Sequence, residues 1–264
     1  MQAIIAPTDF SDISLNAVNY AADMALSLNA RLLVIHATEL PFNRKHDYSK
    51  LTEDALEIES KLDLIKSNLI KRTCGKIPVS SKQVSGLIEN EIIKMCDYVN
   101  PLAVIMATHG TTFKENFFTG SITVYLSKNL TCPTIIVPEG IKYKQVKKIL
   151  LTSDLENLYD MPVEKIVNTV NTFKAALDIV HVYNNEEKFE VMSARISELA
   201  DYLKSVNPQF HFIKNENVFN AVLNFAHENN ADLILTIPRK HVFFYKSKSK
   251  QLIFNSPLAV MTMQ

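Results

Sequence analysis

The sequence LAVIMATHGTTFKENFFTGS, residues 102–121, joins an apolar run to a loop that contains two glycines. The run from Leu102 to Ala107 predicts a buried strand, and a helix is expected to begin near Ser121. Between them, Gly110 and Gly120 allow the backbone to approach a ligand closely. A strand, a glycine-bearing loop and a helix start form a common phosphate-binding arrangement, because free amides at a helix N-terminus face the anion.

The chain is an internal repeat whose second copy lacks this loop. A shift of 145 residues aligns IIAPTD at 4–9 with ILLTSD at 149–154, and ARLLVIH at 30–36 with AALDIVH at 175–181. All five glycines lie within the first 140 residues, so no glycine loop can recur in the second copy. We therefore predict two domains, residues 1–140 and 146–264, joined by a short polar linker.

Each copy alternates short apolar runs with longer amphipathic ones, which predicts an α/β fold with parallel strands and right-handed crossovers. Ser11 or Ser14 is expected to cap the first helix. In the first copy the pattern predicts strands at 3–8, 32–37, 79–84, 102–107 and 134–137, and helices at 14–28, 48–72, 89–98 and 121–129. In the second copy it predicts strands near Ile149, Ile179, His211, Leu233 and Leu258.

Composition narrows the function classes. The formal net charge is zero and the pI is about 7.1, so no global basic field attracts nucleic acid. No apolar run reaches the ~18 residues that span a bilayer, so no membrane partner is expected. Three scattered cysteines and the absence of a signal-peptide pattern at the N-terminus indicate a reducing, cytoplasmic location.

The strand order of such a sheet predicts where a ligand binds. Ligands lie beyond the carboxyl ends of the strands, where the strand order reverses. That rule brings residues 7–11, after the first strand, beside the 110–121 loop after the fourth strand. There Asp9 can accept hydrogen bonds from ribose hydroxyls, or it can cap the following helix; the sequence leaves both readings open.

Together these motifs resemble a universal stress protein domain: PTDFS around Asp9, MATHG at 106–110, the pair Gly120 and Ser121, and CPTIIVP at 132–138. The ATP-binding pattern of that family is G-x-x-G, nine residues, then G-[ST]. The second and third glycines and the hydroxyl residue match here, whereas Ala107 replaces the first glycine. The nucleotide-binding residues that the resemblance implies are Pro7, Thr8, Asp9, Ala37, Met106, Ala107, His109, Gly110, Gly120, Ser121 and Ile122.

The resemblance also implies an architecture and a function. The fold would be two tandem, doubly wound, five-stranded parallel-sheet domains packed as a pseudo-dimer through their last strands. The function would be that of an ATP-binding stress-response or signalling module, with ATP bound with or without magnesium. Gly110, Gly120 and Ser121 would hold the phosphates and Asp9 the ribose. A protein partner is implied but not identified, and a homodimer of the whole chain stays open.

Two departures from the family pattern bear on binding. The methyl group of Ala107 would interfere if the position needs a positive φ, whereas an ordinary strand-end conformation would tolerate it. The second copy has TIPRK at 236–240 opposite MATHG, and Pro238 lacks an amide donor. Asp154 keeps the acidic position but is expected to cap a helix. His36 and His181 are expected to be hydrogen-bonded histidines at strand ends rather than metal ligands.

Two other functions remain alternatives to the ATP-binding module. One is a scaffold, or a member of the same family that binds a different small ligand. The other is a weak ATPase, although the chain contains neither G-x-x-x-x-G-K-[ST] nor G-x-S-x-G and no catalytic residue is assigned. The second copy is interpreted as a structural partner or a regulatory surface.

The pseudo-dimer generates a first prediction. If the last strands of both copies cover each other's edges, Ile136→Lys should loosen the two halves and expose apolar surface. Limited proteolysis of the linker, residues 139–145, should then be faster in the variant than in the wild type. Equal cleavage rates, together with separated halves that do not reassociate, would show that the last strands do not hold the halves together.

Overall fold

Alternating strands and helices build both halves of the chain. A computed structural model describes residues 1–38, 48–108, 121–155, 158–183, 189–238 and 248–264. It divides into two units, Met1–Tyr143 and Lys144–Gln264. Each unit is a doubly wound α/β domain with five parallel strands among its described residues, as the sequence pattern and the family resemblance predict.

The first unit has a sheet with the strand order β3-β2-β1-β4-β5, and its strand pairs are parallel. The chain runs outward from β1 to β3 and then returns to β4 on the other side, so the order reverses between β1 and β4. The elements are β1 Ala3–Pro7, α1 Asp12–Ser27, β2 Arg31–Thr38, α2 Tyr48–Arg72, β3 Val79–Ser85, α3 Ile88–Val99, β4 Ala103–Ala107, α4 Ser121–Asn129 and β5 Thr134–Val137.

The second unit repeats this order as β8-β7-β6-β9-β10, again with parallel pairs. Short 3₁₀ turns occupy Leu158–Asp160 and Lys204–Val206. The elements are β6 Lys148–Thr152, α5 Val163–Phe173, β7 Ala176–Tyr183, α6 Phe189–Leu203, β8 Gln209–Lys214, α7 Val218–Glu228, β9 Leu233–Thr236, α8 Lys248–Asn255 and β10 Val260–Thr262.

The core of the first unit lies along β1 and β4. Ile4, Ile5, Val104 and Ile105 are completely buried, because helices cover both faces of a doubly wound sheet. Contacts of α1 with α2, and of α3 with α4, match two helices on each face. On the outer strand β3, half-buried and exposed side chains alternate from Val79 to Gln83, and only Val84 is buried.

Most predicted elements agree with the observed ones to within two residues. The first helix begins at Asp12, and its N-cap is Ser11, whose hydroxyl oxygen accepts a hydrogen bond from the amide of Ser14 at 3.2 Å. Of the two serines that the sequence offered, Ser11 is the N-cap, because the helix begins one residue after it and Ser14 lies inside the first turn. The last strand begins at Val260, two residues after the predicted Leu258.

The second unit contains a buried acidic side chain at a position where the repeat alignment gives the first unit an apolar one. Asp178 on β7 is buried, and its carboxylate lies 3.4 Å from Lys148 Nζ and 3.4 Å from His211 Nε2. The repeat alignment assigns Leu33 to the same position in the first unit. A carboxylate at a buried position requires such polar neighbours, because burying an unpaired charge is costly.

The end of α5 generates a stability prediction. Lys174 caps this helix with φ of 53°, a left-handed conformation that costs an L-residue about 1–2 kcal/mol. Glycine removes that cost but loses about 0.5–1 kcal/mol of chain entropy. Lys174→Gly should therefore stabilise the protein by about 0.5–1 kcal/mol, measured as a higher midpoint of denaturant unfolding.

Lys174→Ala is the matched control, because it removes the same exposed side chain but keeps the Cβ atom that makes the left-handed conformation unfavourable. We expect no stabilisation from it. An equal rise of the unfolding midpoint in both variants would attribute the effect to the lysine charge instead of the backbone.

Candidate functional site

The candidate site lies where β1 and β4 run side by side. Ile4 pairs with Ala103 and Ile5 with Val104, so the carboxyl ends of both strands open at the same edge of the sheet. Pro7 ends β1, and Thr8 and Asp9 follow it, whereas Met106 and Ala107 end β4. Ala37 lies near the end of the neighbouring β2. The turn after β1 therefore starts beside the end of β4, and the prediction that residues 110–120 meet this turn stays a prediction.

A tight turn connects β1 to α1. The amide of Phe10 donates to Thr8 Oγ1 at 3.0 Å, and the amide of Thr8 donates to the Ile35 carbonyl at 2.8 Å. The Thr8 hydroxyl also lies 2.9 Å from the Ser14 hydroxyl. These bonds hold Phe10 at φ of 65°, a conformation that costs a non-glycine residue about 1–3 kcal/mol and is concentrated at functional sites.

Asp9 is held by its neighbour and does not cap the helix. Its Oδ1 atom accepts hydrogen bonds from the Ser11 amide at 3.1 Å and from the Ser11 hydroxyl at 2.6 Å. The N-cap role belongs to Ser11. These bonds from Ser11 fix the orientation of the Asp9 carboxylate beside the end of β1.

The side chain of Phe10 packs between an imidazole and a cation. Its ring centroid is 4.3 Å from that of His36, and Lys61 Nζ lies 5.5 Å from the ring centroid. His36 Nδ1 is 2.8 Å from the Thr8 carbonyl, so His36 is a half-buried, hydrogen-bonded residue as the sequence predicts. Lys61 also pairs with Glu57 at 2.6 Å, and this hydrogen bond and charge lower the pKa of Glu57.

Ala107 has the strand-end conformation that tolerates alanine. It is the last residue of β4 and pairs in register with Val137 of β5. Its carbonyl accepts a hydrogen bond from Thr123 Oγ1 at 3.2 Å, which fixes the first turn of α4 against the end of β4. A strand residue needs no positive φ, so the replacement of the first motif glycine introduces no backbone strain.

Two of the remaining motif residues, Ser121 and Ile122, belong to the first turn of α4. Ser121 is the first residue of that helix, and the side chain of Ile122 is 40% exposed. His109, Gly110 and Gly120 lie outside the described residues, so their predicted roles stay predictions. The observed start of α4 at Ser121 agrees with the sequence pattern.

The second unit repeats the turn without the glycines. Leu155, the counterpart of Phe10, has φ of 57°, and its amide donates to Ser153 Oγ at 3.1 Å. His181 Nδ1 lies 3.0 Å from the Ser153 carbonyl, as His36 does from that of Thr8. The turn is therefore a property of the fold and does not by itself mark a ligand site.

The prediction that Asp154 caps the next helix is wrong. A 3₁₀ turn at Leu158–Asp160 intervenes, and the N-cap of α5 is Pro162. Beyond β9, Pro238 stands where a backbone amide would otherwise be available.

The strained Phe10 is the site feature that sequence reasoning missed. Phenylalanine does not predict a positive φ, since glycine and asparagine are the residues that usually adopt this conformation. The signal available in the sequence was the repeat itself, which keeps a hydroxyl residue two positions before Phe10 and Leu155, and a histidine at 36 and 181.

Two kinds of feature are absent from the described residues. Within these parts of the chain, no group of three or more histidine, cysteine, aspartate or glutamate side chains is placed to hold a metal ion. No helix among them combines the length and apolar character needed to span a membrane.

Comparison with known proteins adds the family. The sequence model of the universal stress protein family matches residues 1–138, more than half of the chain. The chain belongs to the universal stress protein family. The universal stress protein MJ0531 of Methanocaldococcus jannaschii is 27% identical over 142 residues, which cover 53% of this chain and 83% of that relative.

Solved structures agree with the fold of this universal stress protein. A universal stress protein from Archaeoglobus fulgidus covers 99% of this chain and 98% of its own, with a TM-score of 0.76 and 19% sequence identity. The match therefore extends over both units. A universal stress protein solved in complex with cAMP covers 52% of this chain and 96% of its own, with a TM-score of 0.40 and 19% identity.

Proposed function

We propose that this universal stress protein is a cytosolic ATP-binding module of stress response or signalling, with one nucleotide site in its first unit. Asp9 binds the ribose, and Gly110, Gly120 and Ser121 bind the phosphates, with His109 and Ile122 beside them. Pro7, Thr8, Ala37, Met106 and Ala107 line the site. The observation that carries the proposal is the adjacency of the β1 turn and the start of α4 at the switch point of the sheet.

The phosphate side rests on the position of α4. The bond from Thr123 to the Ala107 carbonyl fixes the helix start at the end of β4. A helix N-terminus offers free amides and a partial positive charge to an anion. Gly120 directly precedes this helix, and a residue without a side chain there lets a phosphate approach the amides.

The ribose side rests on Asp9. Ser11 donates two hydrogen bonds to the same carboxylate oxygen, which fixes the orientation of the carboxylate at the mouth of the site. The turn below it is tied to β2 through Ile35 and to α1 through Ser14. A preorganised acceptor of this kind suits a pair of ribose hydroxyls, because little freedom is lost on binding.

The second unit supports a single site per chain. It keeps the turn at Ser153 and Leu155, but it has no glycine, and Pro238 follows β9. Without a loop to bind the phosphates, the hydrogen bonds of one acidic residue would contribute too little free energy to hold a nucleotide. Nucleotide occupancy of the first unit would then alter the contacts of the module with a protein partner.

One observation favours the alternative of a scaffold or a different small ligand. The β1 turn is built in the same way in both units, including the one without a glycine loop. The turn therefore forms without any demand from a nucleotide. Binding measurements on the purified chain distinguish the two functions.

Calorimetric titration tests the single site. ATP, added with and without magnesium, should bind with a stoichiometry near one per chain. Asp9→Ala should weaken binding about tenfold or more, since a hydrogen bond to a charged group contributes about 1.5–3 kcal/mol. Asp154→Ala is the matched control and should leave the affinity unchanged.

A stoichiometry near two would contradict the interpretation of the second unit. No binding by the folded wild type would exclude the nucleotide module and favour the scaffold.

Gly120 provides a separate test of the phosphate loop. Gly120→Val should abolish ATP binding, because a β-branched side chain keeps phosphate away from the amides. Gly120→Ala, the smaller change, should weaken binding less. Circular dichroism and the unfolding midpoint check that both variants are folded; a folded Gly120→Val protein with wild-type affinity would rule out the phosphate role.

A further inference from the structure

Two buried thiols face each other in the first unit. Cys96 lies on α3, and Cys132 lies between α4 and β5. Their sulfur atoms are 3.1 Å apart, and the Cys132 thiol donates a hydrogen bond to Cys96. Cys96 is 4% exposed and Cys132 6%, whereas Cys74 is exposed. The candidate nucleotide site uses none of the three cysteines.

The two sulfur atoms are close enough to bond with little movement. A disulfide has a sulfur–sulfur distance of about 2.05 Å, so the two atoms must approach by about 1 Å. Both residues belong to the layer of the unit in which α3 contacts α4. A shift of this size is on the scale of side-chain rotation.

We propose that Cys96 and Cys132 form a reversible redox pair that a peroxide oxidises to an intramolecular disulfide. One deprotonated sulfur attacks a peroxide oxygen, the O–O bond breaks, and a sulfenic acid and water form. The other sulfur then attacks the sulfenic sulfur, the S–O bond breaks, and a second water leaves. Two thiols lose two electrons and two protons in total, and hydrogen peroxide is reduced to two waters.

The surroundings of the pair determine which oxidant reaches it and how fast. Burial admits hydrogen peroxide more readily than a bulky disulfide such as glutathione disulfide. The shared hydrogen bond between the two thiols and the burial of Cys96 raise its pKa above the usual range. The thiol form therefore predominates near neutral pH, and oxidation should accelerate as pH rises because the thiolate fraction rises.

The loop of chain that the disulfide closes would contain the β4 and α4 side of the candidate site. The chain from Cys96 to Cys132 contains β4 and α4, whose ends carry Ala107 and Ser121. Oxidation would fix both ends of this segment and so restrict movement of the site. This consequence for ligand binding rests on the proposed function, whereas formation of the disulfide does not.

The test uses the full chain carrying Cys74→Ser, which removes the exposed thiol. The folded protein is treated with hydrogen peroxide, denatured, alkylated and digested. We expect both remaining thiols to resist alkylation, and a cross-linked peptide pair containing Cys96 and Cys132 that dithiothreitol separates. The oxidised protein should also melt several degrees higher, since the link constrains the unfolded chain.

Cys96→Ser in the same background is the matched control and should retain no intramolecular cross-link. The cross-linked peptide pair is detected in the Cys74→Ser protein itself, so this result holds even if the Cys96→Ser variant does not fold. Two thiols that stay alkylable after peroxide treatment, or that gain oxygen atoms without a cross-link, would overturn the proposal.

If the cross-link forms in a protein that binds no ATP, the redox pair stands and the proposed function fails. If ATP binds and no cross-link forms, the reverse holds.

Discussion

The pairing of β1 with β4 brings the described parts of the candidate site to one edge of the sheet. The side chains of both strands are buried except for the half-buried Pro7 at the end of β1, so their register is fixed by the core on each face. Their carboxyl ends therefore open together at the point where the strand order reverses. The Asp9 turn continues directly from β1 and is tied to β2 by the bond from the Thr8 amide to the Ile35 carbonyl, and the first turn of α4 is tied to the end of β4 by Thr123.

Comparison of the two units distinguishes the features that belong to the fold from those that only one unit has. The hydroxyl-anchored turn, its left-handed residue and the histidine bonded to the turn carbonyl recur in both. The glycines occur in the first unit alone. The repeated features stabilise the exit from a central strand, whereas Gly75, Gly86 and Gly140 have a positive φ that glycine adopts without strain.

The second unit has changed in its interior as well as at its strand ends. Asp178 occupies the position of Leu33 and is accommodated by Lys148 and His211. Such a replacement persists only where the polar neighbours arise with it, since an unpaired buried carboxylate would be destabilising. The fold tolerates this change because the sheet is held by backbone pairing along five strands and by burial elsewhere.

The sequence by itself determined the α/β class, the tandem repeat, most element boundaries and the family, because apolar periodicity and motif spacing are local properties. It also located the two segments of the candidate site. Tertiary structure alone decided between the open readings. Ser11 rather than Asp9 caps α1, Ala107 has strand geometry, Phe10 is held at a positive φ, and Cys96 meets Cys132. Each of these depends on hydrogen bonds or packing between residues that the local pattern does not connect.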